Sequence, residues 1–223
     1  MLLMKSFCSP LACRARKTGR HFSTKISTIR TSQPFIDQKN YLNSHVCTNL
    51  RGGKIGSPQR ERRGFLSDTS YPALAQLLRR RGVLDRGTNH KQMHELFRRM
   101  VFNILIDNTD DHEKNHVLLV ADRQNYQLSP AFDVLPTEQA LGYQSMGVGA
   151  DGAVSSIDNA LSMCTAYWLS RQEAVTEARR VATVVSTWRV HFKAAGVARS
   201  AIDALTGQID RLWLQEQRTA LGV

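Results

Sequence analysis

Apolar residues recur at helical spacing in two stretches of the chain that follow residue 64. The first stripe consists of Tyr71, Leu74, Leu77 and Leu78. Its spacing of i, i+3, i+6 and i+7 predicts a short amphipathic helix. Three arginines and Gly82 follow the stripe directly. Cations in the last turn and a glycine after it are typical of a helix C-terminus, so the helix is expected to end there.

The second stripe predicts a longer helix from about Lys91 to Ile106. Its apolar members are Met93, Leu96, Phe97, Met100, Val101, Ile104 and Leu105. These positions match the core-facing side of a helix over its whole length. Four polar residues lie off the stripe and are therefore expected in solvent: His94, Glu95, Arg98 and Arg99.

A β-hairpin is predicted after a polar loop that follows the second helix. The loop is Asn108-Thr-Asp-Asp-His-Glu-Lys-Asn115, and the apolar run from Val117 to Ala121 is typical of a buried strand. Residues 122–125 have turn composition, and Tyr126 starts a return strand. The two strands should bring the ends of this region together.

The remainder of the chain is predicted to be helical. Three serine–acid pairs have the spacing of a helix N-cap and its third residue: Ser155 with Asp158, Ser170 with Glu173, and Ser200 with Asp203. Apolar residues continue at helical spacing from Val175 to Phe192, and again from Ile202 to Trp213. The tryptophans Trp188 and Trp213 are expected to be core anchors.

Charge divides the chain into two unlike parts. Residues 1–63 hold 13 Lys and Arg against 2 acids, whereas residues 64–223 hold 17 of each sign. We therefore expect a basic, irregular segment over 1–63 and a folded domain over 64–223. The basic segment could be a disordered tail, an organellar transit peptide, or sequence with no function in the protein. The neutral domain gives no reason to expect direct nucleic-acid binding, so a basic nucleic-acid-associated protein acting through 1–63 is the weakest hypothesis.

Two further features limit the class of protein to which this chain can belong. No apolar run approaches the roughly 18 residues that a membrane helix needs, so no membrane association is expected. Four cysteines without a CxxC pair argue against a disulfide framework or a zinc site, and indicate a reduced, cytoplasmic protein.

The polar loop and the segment after the hairpin hold the residues best suited to chemistry. Asp110 lies five residues before Asn115, which is the spacing of Asp and Asn in the catalytic loop of protein kinases. Asp133 follows the predicted hairpin and should lie near Asn115. In phosphoryl transfer one carboxylate orients the attacking hydroxyl, while an Asn and a second Asp hold Mg²⁺.

Two other interpretations of the loop are a purely structural turn and a calcium-binding EF-hand. Clusters of Asp and Asn most often form turns and caps, so the loop could be purely structural. An EF-hand is excluded because, counted from Asp107, His112 replaces the required glycine and Leu118 replaces the final glutamate.

Residues 64–223 resemble the C-terminal lobe of HipA-like serine/threonine kinases, the toxins of bacterial toxin–antitoxin pairs. The resemblance rests on the helix Leu96-Phe-Arg-Arg-Met-Val-Phe-Asn103, the loop from Asn108 to Asn115, and Leu128-Ser-Pro-Ala-Phe-Asp-Val134. The implied fold is mainly α, a kinase-like helical lobe with one small β-hairpin after the catalytic loop.

The resemblance also implies roles for individual residues. Asp110 would accept the proton of the substrate hydroxyl, and Asn115 with Asp133 would bind Mg²⁺. His112 and Lys114 would lie along the phosphates of ATP, and Phe132 would pack beside the nucleotide. The implied partners are a protein substrate such as an aminoacyl-tRNA synthetase and a small HipB-like antitoxin.

One departure from the family limits the functional expectation. Complete members carry an N-terminal lobe with a glycine-rich loop and a lysine that contact the phosphates, and no segment before residue 64 has that pattern. Arg51-Gly-Gly-Lys-Ile-Gly56 is not preceded by a strand pattern, as such a loop would require. We therefore expect a truncated kinase that transfers the ATP γ-phosphate to a protein serine. The alternative is an inactive remnant that at most binds a protein.

Overall fold

The computed structural model describes residues 69–121 and 125–223, apart from the side chain of Arg86. The predictions made for residues 1–63 lie outside the described residues. The helices of the described part are α1 (Tyr71–Arg81), α2 (Thr88–Leu105), α3 (Ile157–Ser162), α4 (Arg171–Ser186), α5 (Trp188–Ala194), α6 (Arg199–Ile209) and α7 (Leu212–Ala220). The strands are β1 (Leu118–Val120) and β2 (Tyr126–Leu128), and single 3-10 turns occupy Asp85–Gly87, Glu113–Asn115 and Cys164–Tyr167. This mostly helical architecture with one hairpin confirms the expected fold class.

Helix α2 is the centre of the hydrophobic core. All seven residues of its predicted stripe are completely buried. The helix packs against α1, α3, α4 and α7, and against β2 on another side. It begins at Thr88, three residues before the predicted start, after Gly87 in the left-handed conformation (φ 67°). One long, fully buried apolar stripe therefore organises the surrounding elements.

Helix α1 and the hairpin are joined through the end of α1. The Ser70 hydroxyl caps the helix by accepting the Ala73 N–H. At the other end the Gly82 N–H donates to the Leu78 carbonyl at 2.8 Å. A Cβ atom on Gly82 would lie 2.3 Å from that oxygen, which is too close for a side chain. The chain then runs beside β2, where the Val83 N–H donates to the Tyr126 carbonyl.

The predicted hairpin forms with a simple antiparallel register. Leu118 pairs with Leu128, and Val120 pairs with Tyr126. The Leu128 N–H donates to the side-chain oxygen of Gln92 at 2.6 Å, which attaches β2 to α2. The hairpin is thus held by the first half of α2 and by the segment after α1.

Arg99 corrects the expectation that all polar residues beside the α2 stripe are in solvent. Its side chain is 8% exposed. One guanidinium nitrogen donates to the Ser129 carbonyl at 2.9 Å, and another pairs with Glu95 at 3.1 Å. A long cationic side chain can be buried when each donor finds an acceptor, and here it joins α2 to the segment after β2.

The C-terminal helices are shorter than predicted. The stretch after Ser170 divides at Thr187 into α4 and α5, and the last stretch divides at Asp210 into α6 and α7. Trp188 is buried as expected, but Trp213 is only partly buried. Apolar spacing persists across both breaks, so it does not reveal where the backbone leaves helical geometry.

The three predicted helix caps have different outcomes. Ser170 and Glu173 form a complete capping box, with each side chain bonded to the other residue's backbone N–H. The cap of α3 is Ser156, not Ser155, and its hydroxyl accepts the Asn159 N–H. Ser200 lies inside α6, which begins at Arg199 after Ala198 without a side-chain cap.

No helix among residues 69–121 and 125–223 is long and apolar enough to cross a membrane.

A core substitution tests the central place of α2. Leu96→Ala should lower the free energy of unfolding by about 2–5 kcal/mol, because it removes fully buried methyl groups and leaves a cavity. Leu212→Ala is the matched control, since Leu212 is 72% exposed and should change stability by less than about 0.5 kcal/mol. Equal losses in urea unfolding of the two variants would contradict this packing.

Candidate functional site

The polar loop between α2 and β1 is largely buried. Helix α2 ends at Leu105, and Asp107 takes the left-handed conformation with φ 59°. The following side chains are buried, with the exception of Asp110 and of residues 112–114. The buried polar members of the loop are Asp107, Asn108, Thr109, Asp111, Asn115 and His116. A loop this polar can be buried only because its groups bond to one another and to the helices.

The backbone of the loop brings Asp110 and Asn115 together. The His112 N–H donates to the Asp110 carbonyl, and the Asn115 N–H donates to the His112 carbonyl, each at 2.9 Å. The side-chain amide of Asn115 lies 3.5 Å from the same Asp110 carbonyl. Asp110 itself is exposed, so its carboxylate is accessible while its backbone is fixed.

The segment after β2 faces Asn115 across a small pocket. The pocket is lined by Arg99, Asn103, Asp111, Asn115, His116, Ala131, Phe132 and Val134. Asp133 lies between two of these lining residues, and its side chain is exposed. Its backbone is left-handed, with φ 55°, a conformation that costs a non-glycine residue energy and is often found at functional sites. The hairpin thus places the segment of Asp133 beside Asn115.

The remaining predicted residues border the same region. Phe132 lines the pocket and is 42% exposed. Lys114 is exposed within the 3-10 turn, and His112 just before it is half-buried. The Nδ1 atom of His112 is buried without a hydrogen-bond partner. Among the described residues, no hydrogen bond or ion pair joins His112 or Lys114 to Asp133, so these side chains lie in the same region without bonding to one another.

A buried hydrogen-bond network centred on Asp111 joins the loop to the helices of the core. One carboxylate oxygen of Asp111 accepts hydrogen bonds from the Tyr71 hydroxyl, from the Asn103 amide at 2.7 Å and from His116 Nε2 at 2.8 Å. The side-chain oxygen of Asn103 accepts in turn from the Asn108 amide at 3.1 Å. The network joins α1, α2 and both halves of the loop.

Burial and hydrogen bonding have opposite effects on the acid of this network. Burial by itself raises the pKa of Asp111, but the hydrogen bonds and charge of His116, together with the bonds from Tyr71 and Asn103, bring the pKa below its ordinary value. The pKa of Tyr71 is raised well above its usual value by burial and by the Asp111 carboxylate. Asp111 is therefore a carboxylate, and Tyr71 keeps its proton.

A second support links the loop to the C-terminal helices. A guanidinium nitrogen of Arg211 lies 3.0 Å from the carboxylate of Asp107, which is completely buried. The Asp107 carbonyl accepts two bonds from Thr137, through its N–H and its hydroxyl. Burial raises the pKa of Asp107, and the Arg211 guanidinium beside it only partly offsets this effect.

None of the residues of these two supports was predicted from the sequence to belong to the site. Asp111 and His116 stand five apart, the same spacing as Asp110 and Asn115 one position earlier, so the spacing alone could have suggested a second pair. Tyr71, Asn103 and Arg211 gave no sequence signal, because their contacts with the loop depend on the tertiary fold.

The donor atoms at the site are suited to a small hard cation. Asp110 and Asp133 offer exposed carboxylates, and Asn115 offers an amide oxygen, which are the ligand types that Mg²⁺ prefers. Within residues 69–121 and 125–223 no group of three His, Cys, Asp or Glu side chains could hold a metal ion. The set therefore fits a cation that completes its shell with phosphate oxygens and water better than one held by protein ligands alone.

The helices, the hairpin and the polar loop that precedes the hairpin together define a kinase-like C-terminal lobe. Residues 52–189 match the family model of the HipA-like C-terminal domain, and the chain belongs to this family. A Sinorhizobium fredii protein named "Putative kinase Y4dM" is 46% identical over 55 residues, which are 25% of this chain and 13% of that protein.

A solved structure supports the same fold. HipA of Shewanella oneidensis, determined in a complex with HipB and its operator DNA, superposes with a TM-score of 0.50 at 14% identity. The alignment covers 67% of this chain and 38% of that one, so this chain spans well under half the length of the relatives it matches.

The buried ion pair with Asp107 yields a stability prediction. Arg211→Met should cost about 3–5 kcal/mol at neutral pH, because it leaves a buried carboxylate without its cation. Since burial raises the pKa of Asp107, the folded variant should take up a proton before the unfolded chain does. The loss should therefore shrink as the pH falls from about 8 to about 5.

Arg199→Met is the control for this variant. Arg199 lies 3.8 Å from Asp203, and both side chains are largely exposed, so the pair should contribute little. Urea unfolding of both variants across the pH range checks the expectation. A loss for Arg211→Met that grows on acidification would contradict the assigned role of the pair.

Proposed function

We propose that this chain is part of a HipA-like serine/threonine protein kinase that transfers the γ-phosphate of ATP to a serine of a protein. The observation that carries the proposal is the loop geometry. It exposes Asp110, fixes its backbone against Asn115, and places the segment of Asp133 on the same pocket. Family membership and the resemblance to the catalytic loop of kinases support it.

Asp110 is the proposed proton acceptor. As the serine oxygen forms its bond to the γ-phosphorus, the bond from that phosphorus to the bridging oxygen of ATP breaks and ADP leaves. The hydroxyl proton passes to the Asp110 carboxylate. Exposure of Asp110 suits this role, because the acceptor must be within hydrogen-bond reach of a substrate that arrives from solvent.

Asn115 and Asp133 are the proposed Mg²⁺ ligands, since they offer an amide oxygen and a carboxylate on neighbouring segments. Mg²⁺ would neutralise charge on the ATP phosphates. His112 and Lys114 are proposed to lie along those phosphates, where an exposed cation such as Lys114 is favourable. Phe132 is partly exposed at the pocket and would pack against the nucleotide.

The proposed partners follow from the family. The Shewanella HipA structure contains HipB, so we propose a small HipB-like antitoxin as a partner of this protein as well. A protein substrate such as an aminoacyl-tRNA synthetase and a cytoplasmic location belong to the same proposal. The full catalytic unit would include the lobe that covers the phosphates, because phosphoryl transfer depends on positioning from both sides.

A second candidate is a protein-binding module that does not transfer phosphate. Nucleotide binding separates the two candidates, because an inert module has no reason to keep an Mg²⁺–ATP site.

The first test is a thermal melt with and without Mg²⁺–ATP. A ligand at about 100 times its dissociation constant stabilises a protein by about 2.7 kcal/mol. At about 2–4 °C per kcal/mol for a chain of this size, the midpoint should rise by roughly 5–11 °C. Asp133→Asn should abolish the rise, whereas Asp203→Asn, which changes an exposed acid of α6, should preserve it. A well-folded wild-type chain without any shift would support the inert module.

The second test concerns the proton acceptor. Asp110→Asn should lower phosphate transfer by at least about 100-fold, because general base catalysis typically contributes that much or more. Incorporation of γ-labelled phosphate into serines of the chain itself and of purified aminoacyl-tRNA synthetases measures the transfer, with Asp203→Asn as control. Unchanged transfer in the Asp110 variant would show that the assignment is wrong.

A further inference from the structure

We propose that Asp111 and His116 are positioning residues whose buried contact sets the distance between Asp110 and Asn115. The proposal rests on the proposed function for the meaning of that distance, but the contact itself is a property of the free protein. Neither residue is assigned to the nucleotide, the metal ion or the transferred group.

The first argument is their place in the chain. Asp111 directly follows Asp110, and His116 directly follows Asn115. Adjacent Cα atoms are about 3.8 Å apart, so a contact between the two followers limits how far the two leading residues can separate. The side-chain contact is 2.8 Å between His116 Nε2 and the Asp111 carboxylate, with both side chains at most 4% exposed. Solvent therefore does not compete for it.

The second argument is that this pair is fixed to the body of the domain. The same Asp111 oxygen accepts from the Tyr71 hydroxyl of α1 and from the Asn103 amide of α2. The Tyr71 ring also meets the His116 ring edge-on, with centroids 5.3 Å apart. The loop is therefore bonded to two helices of the core through this pair.

The third argument is that the adjacent residues Asp110 and Asp111 differ in burial. Asp110 is exposed, whereas Asp111 is 2% exposed and already has three donors on one oxygen. Because a carboxylate can only accept, His116 Nε2 is the donor in its 2.8 Å hydrogen bond with Asp111, and the Nδ1 atom of His116 is buried without a partner. Asp111 and His116 are thus engaged with each other and with the core. Asp110 remains available to a ligand.

The test compares His116→Leu, His116→Gln and Asp111→Asn with the wild-type chain. Leucine cannot donate to Asp111, whereas the glutamine amide can replace Nε2–H, and Asn keeps the volume of Asp111 without its charge. His191→Leu on the exposed side of α5 is the matched control. Each variant is first melted without ligand to establish that it folds.

Amide hydrogen exchange of residues 108–116 measures how well the loop is protected in the absence of nucleotide. His116→Leu and Asp111→Asn should raise exchange at least about 10-fold in this loop while α4 keeps its protection, since local opening is coupled to lost buried contacts. His116→Gln should restore protection. If His116→Leu does not fold, Asp111→Asn against His116→Gln gives the same comparison. Unchanged loop exchange in the folded variants would overturn the proposal.

The affinity for Mg²⁺–ATP tests whether the distance between Asp110 and Asn115 matters for ligand binding. His116→Leu should weaken it about 10- to 100-fold, the usual effect of losing a residue that orients metal ligands, and His116→Gln should recover most of it. Altered exchange with unaltered affinity would overturn the positioning role. Altered exchange in a chain whose wild type binds no Mg²⁺–ATP would keep the structural link but refute the proposed function, so the two failures are distinguishable.

Discussion

The burial of the Asp111 carboxylate is the constraint on which the polar loop depends. A carboxylate removed from water is costly unless donors replace the lost hydration. Here the donors come from α1, from α2 and from the far end of the loop, through Tyr71, Asn103 and His116. Because Tyr71 precedes Asp111 by forty residues and Asn103 belongs to α2, the carboxylate receives all three bonds only when the helices have packed and the loop has closed. The requirement to satisfy one charge thus couples the geometry of the loop to the formation of the core.

Hydrophobic periodicity was sufficient to predict the framework around this charge. The stripe on α2, the hairpin and the capping box at Ser170 all follow from local pattern, and the structure confirms each. The helix breaks at Thr187 and Asp210 did not follow, because apolar spacing continues across them. Arg99 was misjudged for a related reason. Its position on the helix face predicts exposure, and only the carbonyl of Ser129, thirty residues later, explains its burial.

The candidate site shows the same division between local and long-range information. Asp110, Asn115 and Asp133 could be named from spacing and from the return of a hairpin, both of which are local. Tyr71 bonds to a residue forty positions away, and Arg211 pairs with Asp107 from the other end of the domain. Contacts between residues this far apart produce no spacing pattern that a single sequence would show. Candidate residues for the chemistry could therefore be predicted from the sequence, while the long-range contacts of the loop with the rest of the fold could not.

The two adjacent aspartates also show why a polar cluster cannot be interpreted by composition alone. Asp111 is 2% exposed and one of its oxygens accepts three hydrogen bonds, so its carboxylate is less available to a ligand from solvent. Its exposed neighbour Asp110 has no such competition. A cation at this loop would accordingly find its ligands among the exposed carboxylates and Asn115. It follows that burial, more than residue type, separates the group that can meet a ligand from the group that orients it. The alternation from exposed Asp110 to buried Asp111 places both functions within one peptide unit.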